Sequence, residues 1–132
     1  MSESVLTAEP HHSVDHVRKI LGRNKIGSLP VVNTDGEPVG IVSATDLAHE
    51  LKPGSPISRI MTEKVFVIPQ YEDVSIAARV MRNHKIHHVI VTHEKKVVGM
   101  LSAFDLLRLV ESHRYIQKNP PTESKRKSTK RN

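Results

Sequence analysis

The strongest constraint on how this chain folds is that it contains the same pattern twice. Gly40-Ile41-Val42-Ser43-Ala44-Thr45-Asp46-Leu47 returns as Gly99-Met100-Leu101-Ser102-Ala103-Phe104-Asp105-Leu106, 59 residues on. Val14, Val17, Ile20 and Leu21 return as Val74, Ala77, Val80 and Met81 at an offset of 60, and Lys25-Ile26 returns as Lys85-Ile86 at the same offset. One residue is therefore lost between the two registers, at a turn, where loss is cheap. A unit of about 60 residues is marginal by itself and gains a viable core by pairing with its twin.

Each copy of the first pattern reads as a strand running into a helix. Ile41-Val42 and Met100-Leu101 are apolar and suited to strands. The glycine before each lets the backbone turn or approach a neighbour closely. Ser43 and Ser102 read as helix N-caps, with Asp46 and Asp105 in the first turn at the positive end of the helix dipole. The same Ser-x-x-Asp spacing is also a capping-box signature, sufficient in itself to explain both residues.

The remaining elements follow the repeat. Val5-Leu6-Thr7 reads as a short strand, Ser13 as the cap of a helix carrying Val14, Val17, Ile20 and Leu21, and Ser28–Val32 as a strand whose Pro30 favours an edge. Asn33-Thr34-Asp35-Gly36 signals a hairpin turn returning through Val39–Val42. A short helix is expected from Asp46 to Leu51, then a Pro/Gly/Ser linker over 52–56. In the second half the strands are expected at Val65–Pro69, Val89–Val91 and Val97–Leu101, with a turn at Glu94-Lys95-Lys96 and a last helix from about Ala103 to Tyr115 or beyond. The fold class is thus α+β: two βαββα units over residues 1–54 and 55–117, packed about a pseudo-twofold, and a disordered basic tail over 118–132. Such pairing leaves equivalent clefts between the halves, with a Ser/Asp junction at each.

Composition narrows the function. Of the net charge of +6, the tail supplies +5, from Lys118, Lys125, Arg126, Lys127, Lys130 and Arg131 against Glu123. The body is therefore close to neutral and presents no broad basic face. No cysteine is present, which excludes thiolate catalysis, disulfides and thiolate zinc sites and suits a reducing, cytoplasmic setting. With 3% aromatics and no Trp, base-stacking platforms are lacking. No apolar run approaches the roughly 20 residues of a membrane span, so no membrane partner is expected. The nine histidines, among them His12 and His16 at i, i+4 and the group His84, His87, His88, match no zinc signature, and no metal is expected. No nucleophile–base pairing or phosphate-cradling glycine loop is visible, so the chain is not expected to be an enzyme.

The doubled pattern Ile-x-x-Leu-Pro-Val-Val, hairpin, Gly-Ile-Val-Ser-x-x-Asp-Leu, carried by Ile26–Leu47 and Ile86–Leu106 together with Met61-Thr62, resembles a tandem pair of CBS domains, the Bateman module. The resemblance implies a free-standing pair that binds an adenine nucleotide (AMP, ADP, ATP or S-adenosylmethionine) between its repeats as a regulatory ligand, with no covalent cofactor. It implies that Asp46 and Asp105 accept from ribose hydroxyls, that Ser43 and Ser102 lie near ribose or phosphate, that Thr45 also contacts ligand while Phe104 departs from the pattern, and that His87 and His88 stand near the phosphates. A mono- or diphosphate is expected in the cleft lined by His87 and His88, with Asp105 contributing most to binding and Asp46 serving the other cleft. The resemblance also implies a homodimer formed through helices and relay to a regulated protein. Two rival readings stand beside it: a ligand-free structural or interaction module, and a nucleic-acid accessory protein acting through the basic tail.

Overall fold

In a computed structural model, which describes residues 5–49 and 51–113, the chain is a mixed α+β structure whose second half replays the first. Helix α1 (Val14–Asn24) is followed by strands β1 (Ser28–Val32) and β2 (Pro38–Ser43) and by 3₁₀ turns at Asp46–Ala48 and Ile57–Arg59. Strand β3 (Val67–Pro69), helix α2 (Val74–His84), strands β4 (His88–His93) and β5 (Lys96–Ser102) and helix α3 (Ala103–His113) complete it. β1 and β2 form an antiparallel pair; β3, β4 and β5 form a sheet in that order, parallel then antiparallel. The basic tail and the end of the last helix beyond residue 113 lie outside the described residues.

The helices begin and end where local chemistry directs. Ser13 accepts from the His16 N–H at 3.1 Å and Asp73 from the Ser75 N–H at 3.1 Å, each satisfying a donor that a first turn leaves unpaired. Both helices stop at a lysine in the left-handed region, Lys25 (φ 53°) and Lys85 (φ 56°). Val14, Val17 and Leu21 point into a first core with Leu29, Val31 and Val42; Ala77 and Met81 point into a second with Ile68, Val89, Val91 and Leu101.

Four expectations are corrected. The strand expected at Val5–Thr7 is only a bridge between Ala8 and Val31. Its counterpart, β3, pairs Ile68 with Val91, in register with Ala8 and Val31 at an offset of 60, and is extended by the bonds Ile90 N–H to Phe66 O and Gln70 N–H to Thr92 O. The equivalent donors in the first half are Pro30 and Pro10, which have no N–H, so that ladder cannot extend in either direction. β3 is itself shorter than the expected Val65–Pro69.

The helix expected over Asp46–Leu51 is a single 3₁₀ turn, and residues 53–58 are not a bare linker. They form a strap hydrogen-bonded to the start of α1: Val14 N–H donates to Ser55 O (2.8 Å), Asp15 N–H to Pro53 O (3.0 Å), Ile57 N–H to His12 O (2.9 Å) and Ser58 N–H to Pro10 O (3.1 Å). The strap satisfies the orphan donors of α1 and draws the chain back before another helical turn can form. Ile57, at 0% exposure, is fully enclosed in the first core.

The single-residue deletion lies in the hairpins. The first connects Val32 to Pro38 through a loop with Gly36 at φ 82°; the second connects His93 to Lys96 through Glu94 (φ 52°) and Lys95 (φ 73°). Two positive φ values define a type I′ turn, which favours Asn-Gly. The double substitution Glu94→Asn, Lys95→Gly is expected to raise unfolding stability by about 0.5–1 kcal/mol, measured by denaturant titration. The hairpin tips also join the halves: Val97 N–H donates to Gly36 O and Lys96 Nζ to Asp35 O.

Candidate functional site

Both Ser/Asp junctions close as reciprocal caps. Asp46 Oδ2 accepts from the Ser43 N–H at 2.9 Å while Ser43 Oγ accepts from the Asp46 N–H at 3.1 Å. Asp105 and Ser102 repeat this at 2.9 and 3.0 Å. The capping reading of Ser-x-x-Asp is therefore realised in both copies, and it fixes each carboxylate at the end of a strand. Asp46 Oδ1 makes no hydrogen bond among the described residues, whereas Asp105 Oδ1 has Arg108 Nη1 4.0 Å away.

A cleft of about 200 Å³ opens between the repeats. The first repeat lines it with Ile41, Ser43 and Asp46, the second with Ile86, His87 and His88, and the segment that enters the second repeat with Thr62, Lys64, Val65 and Phe66. Pockets that enclose small molecules are usually larger, roughly 300–1,000 Å³, so an occupant of nucleotide size keeps an edge in water here. The lining combines apolar side chains, Ile41, Val65, Phe66 and Ile86, with the Asp46 carboxylate and the basic Lys64, His87 and His88. Lys64 Nζ stands 5.7 Å from the Phe66 ring centre, and that ring packs on His84 at 4.2 Å.

Backbone pairing builds the crossing. Ile41 and Thr62 exchange both main-chain hydrogen bonds, at 2.9 and 2.8 Å. Gly40 makes this approach feasible, since a Cβ there would come within 2.8 Å of Met61 Sδ and 3.0 Å of Thr62 O. His87 O accepts from the Ala103 N–H at 2.8 Å, as Gly27 O accepts from Ala44 in the first half, and His88 pairs with Ser102 across the strands. Burial pushes the His88 imidazole below its ordinary value; His87 beside it adds to this and Asp105 opposes it. The lowered value favours the neutral imidazole at pH 7.

The cleft joins some expected residues and separates others. Ser43, Asp46, His87 and His88 line it together, so the histidines of the second repeat share a cleft with the carboxylate of the first, while Asp105, with which the sequence reading paired them, still acts electrostatically on His88. The reason is connectivity: His87 and His88 are tied through the backbone to Ala103 and Ser102 of their own repeat and also border the cleft that holds Asp46. Thr45 is exposed, makes no capping bond and is not among the lining residues. Ser102 and Asp105 form the second junction, with Phe104 beside them 65% exposed. The counterparts of Thr62 and Lys64 there are Ser2 and Ser4, outside the described residues. Lys64, Thr62 and Phe66 were missed by sequence reasoning. Their signal lay in Lys64, two positions after Thr62, without which a cleft lined by His87 and His88 lacks a permanent cation.

Among the described residues no helix is long and apolar enough to cross a membrane, and no group of three or more His, Asp or Glu side chains is arranged to hold a metal ion. The CBS domain family model matches residues 1–53 and 57–112. Inosine-5'-monophosphate dehydrogenase of Halobacterium salinarum is 33% identical over 108 residues, 80% of this chain but 22% of that protein's length. Among solved structures, the CBS domain pair of protein MJ0100, in complex with 5'-methylthioadenosine and S-adenosyl-L-methionine, superposes with a TM-score of 0.77 at 31% identity, covering 86% of this chain and 93% of that one. The CBS domain protein PAE2072 from Pyrobaculum aerophilum, complexed with AMP, gives 0.71 at 26% identity, covering 84% and 95%.

Proposed function

Because this chain belongs to the CBS domain family, we propose that it is a non-enzymatic, cytoplasmic regulatory module that binds an adenine nucleotide in the cleft between Asp46 and His87-His88 and relays its occupancy to a partner protein. One observation supports this above others: the lining of one cleft combines the Asp46 carboxylate, whose Oδ1 makes no hydrogen bond among the described residues, with Lys64, His87 and His88 and with apolar side chains. A carboxylate only accepts hydrogen bonds, which suits a ribose diol. The basic side chains suit a phosphate. Adenosine is the moiety common to the ligands of the two solved relatives. The relay surface is the outer face of α3, where Phe104, Leu107 and Val110 are 65%, 66% and 61% exposed; a second copy of the chain is its proposed partner.

Calorimetry with AMP, adenosine and S-adenosylmethionine tests the reading. AMP is expected to bind most tightly, because the basic side chains attract phosphate and repel a sulfonium. At 100 times its dissociation constant it should add about 2.7 kcal/mol of stability. Lys64→Gln should weaken AMP about tenfold and leave adenosine unchanged. Failure of all three ligands to bind would overturn the reading in favour of a ligand-free interaction module.

The pH dependence has a defined sign. A bound phosphate raises the protonated fraction of the His88 imidazole, so AMP affinity should rise as pH falls from about 8 to 6.5, while adenosine affinity stays flat. Without ligand, the lowered pKa of His88 works the other way: its contribution to stability is complete above about 6.5 and is lost as pH falls through its folded value. Thermal unfolding across pH 8 to 5, with and without AMP, separates the two.

A further inference from the structure

The two carboxylate-bearing turns are supported in different ways. Asp105 lies in the first turn of α3, an eleven-residue helix, whereas Asp46 opens a 3₁₀ turn of only three residues. A short turn leaves its terminal carbonyls without internal partners. Arg18, reaching across from α1, supplies them: its Nη2 donates to Leu47 O at 2.7 Å and to His49 O at 3.3 Å. Leu47 is 4% exposed, so water is a poor substitute for that donor. The position equivalent to Arg18 in the second repeat is Ala78, where the longer helix needs no such donor. Arg18 also lines an open groove of about 300 Å³ with Leu21, Ile26, Ala44 and Leu47, which leaves the turn space to relax.

We infer that Arg18 is a positioning residue for the cleft: its guanidinium holds the Asp46 turn in place in the repeat that lacks the helix holding the Asp105 turn. The inference rests on the cleft reading above, but the hydrogen bonds to Leu47 and His49 do not. In the absence of Arg18 the strand end at Ser43 is unchanged, and the loosened part is the turn that begins at Asp46. The consequence for ligand is a carboxylate that must be reordered at each binding event, which lowers affinity without removing any group that touches the ligand.

Arg18→Met keeps the apolar stem and removes the donors; Arg18→Lys restores one cation. Hydrogen exchange on the unliganded chain should be about tenfold faster at the Leu47 and Ala48 amides in Arg18→Met, with α1 and the strands unchanged. AMP should bind Arg18→Met about tenfold more weakly by calorimetry, and Arg18→Lys should recover part of the loss. In an Asp46→Asn background the same substitution should change AMP affinity less than about twofold, since the group being positioned is already altered. Unchanged exchange at Leu47 and Ala48 overturns the tether. Normal AMP affinity in Arg18→Met, or an equal loss in the Asp46→Asn background, overturns the positioning role. A wild-type chain that binds no AMP overturns the cleft reading and the positioning role with it, leaving the exchange result to decide the tether alone.

Discussion

Asp46→Ala is expected to weaken AMP binding about a hundredfold, the largest functional effect of any single substitution in this chain. Two hydrogen bonds from a ribose diol to a charged acceptor contribute roughly 1.5–3 kcal/mol each, of which part is recovered by water when the carboxylate goes. The substitution also removes the acceptor for the Ser43 N–H, so stability should fall by about 1 kcal/mol. Asp46→Asn separates the two roles. Its carbonyl oxygen can still accept from Ser43, which keeps stability within about 0.5 kcal/mol, while the lost charge costs about tenfold in affinity. Calorimetry alongside denaturant titration reads both quantities from one preparation. If Asp105→Ala abolished binding and Asp46→Ala left it intact, the ligand would belong to the other junction.

Ile57→Ala is expected to cost about 2–5 kcal/mol of folding stability, the range for truncating a large, fully enclosed aliphatic side chain. This is a large fraction of the roughly 5–15 kcal/mol that holds a small domain together. The strap around Ile57 cannot close over the gap easily, because its backbone is bonded to Pro10, His12 and the start of α1. The nearby Ser58→Ala, on an exposed side chain, serves as the control and should change stability by less than about 0.5 kcal/mol. A loss below about 1 kcal/mol for Ile57→Ala would mean that the strap is not part of the first core.

Features set by residues close in sequence were legible without the structure. Ser-x-x-Asp joins partners three positions apart, so its reciprocal cap could be read from spacing, and both caps formed. Ser13 as a cap, the Asp-Gly turn and the two amphipathic helices were legible for the same reason. The expected strand at Val5–Thr7 failed on a feature that was also in the sequence. Pro10 and Pro30 forbid the ladder, but only once the parallel register at Ala8 and Val31 identifies which N–H groups it needs. The helix at Asp46–Leu51 failed because hydrogen bonds from a segment about 40 residues earlier, at His12–Asp15, outweighed local propensity.

The sequence by itself determined the duplication, the family, the two capped junctions and four of the ten residues that line the cleft, Ser43, Asp46, His87 and His88. Only the tertiary structure decided that Asp46, Lys64, His87 and His88 line one cleft and that Arg18 donates to the carbonyls of the short turn. The reason is range. A cap or a turn is settled by groups the chain holds adjacent at little entropic cost, whereas the cleft exists only after two repeats have crossed, and nothing in either repeat alone specifies which end faces which.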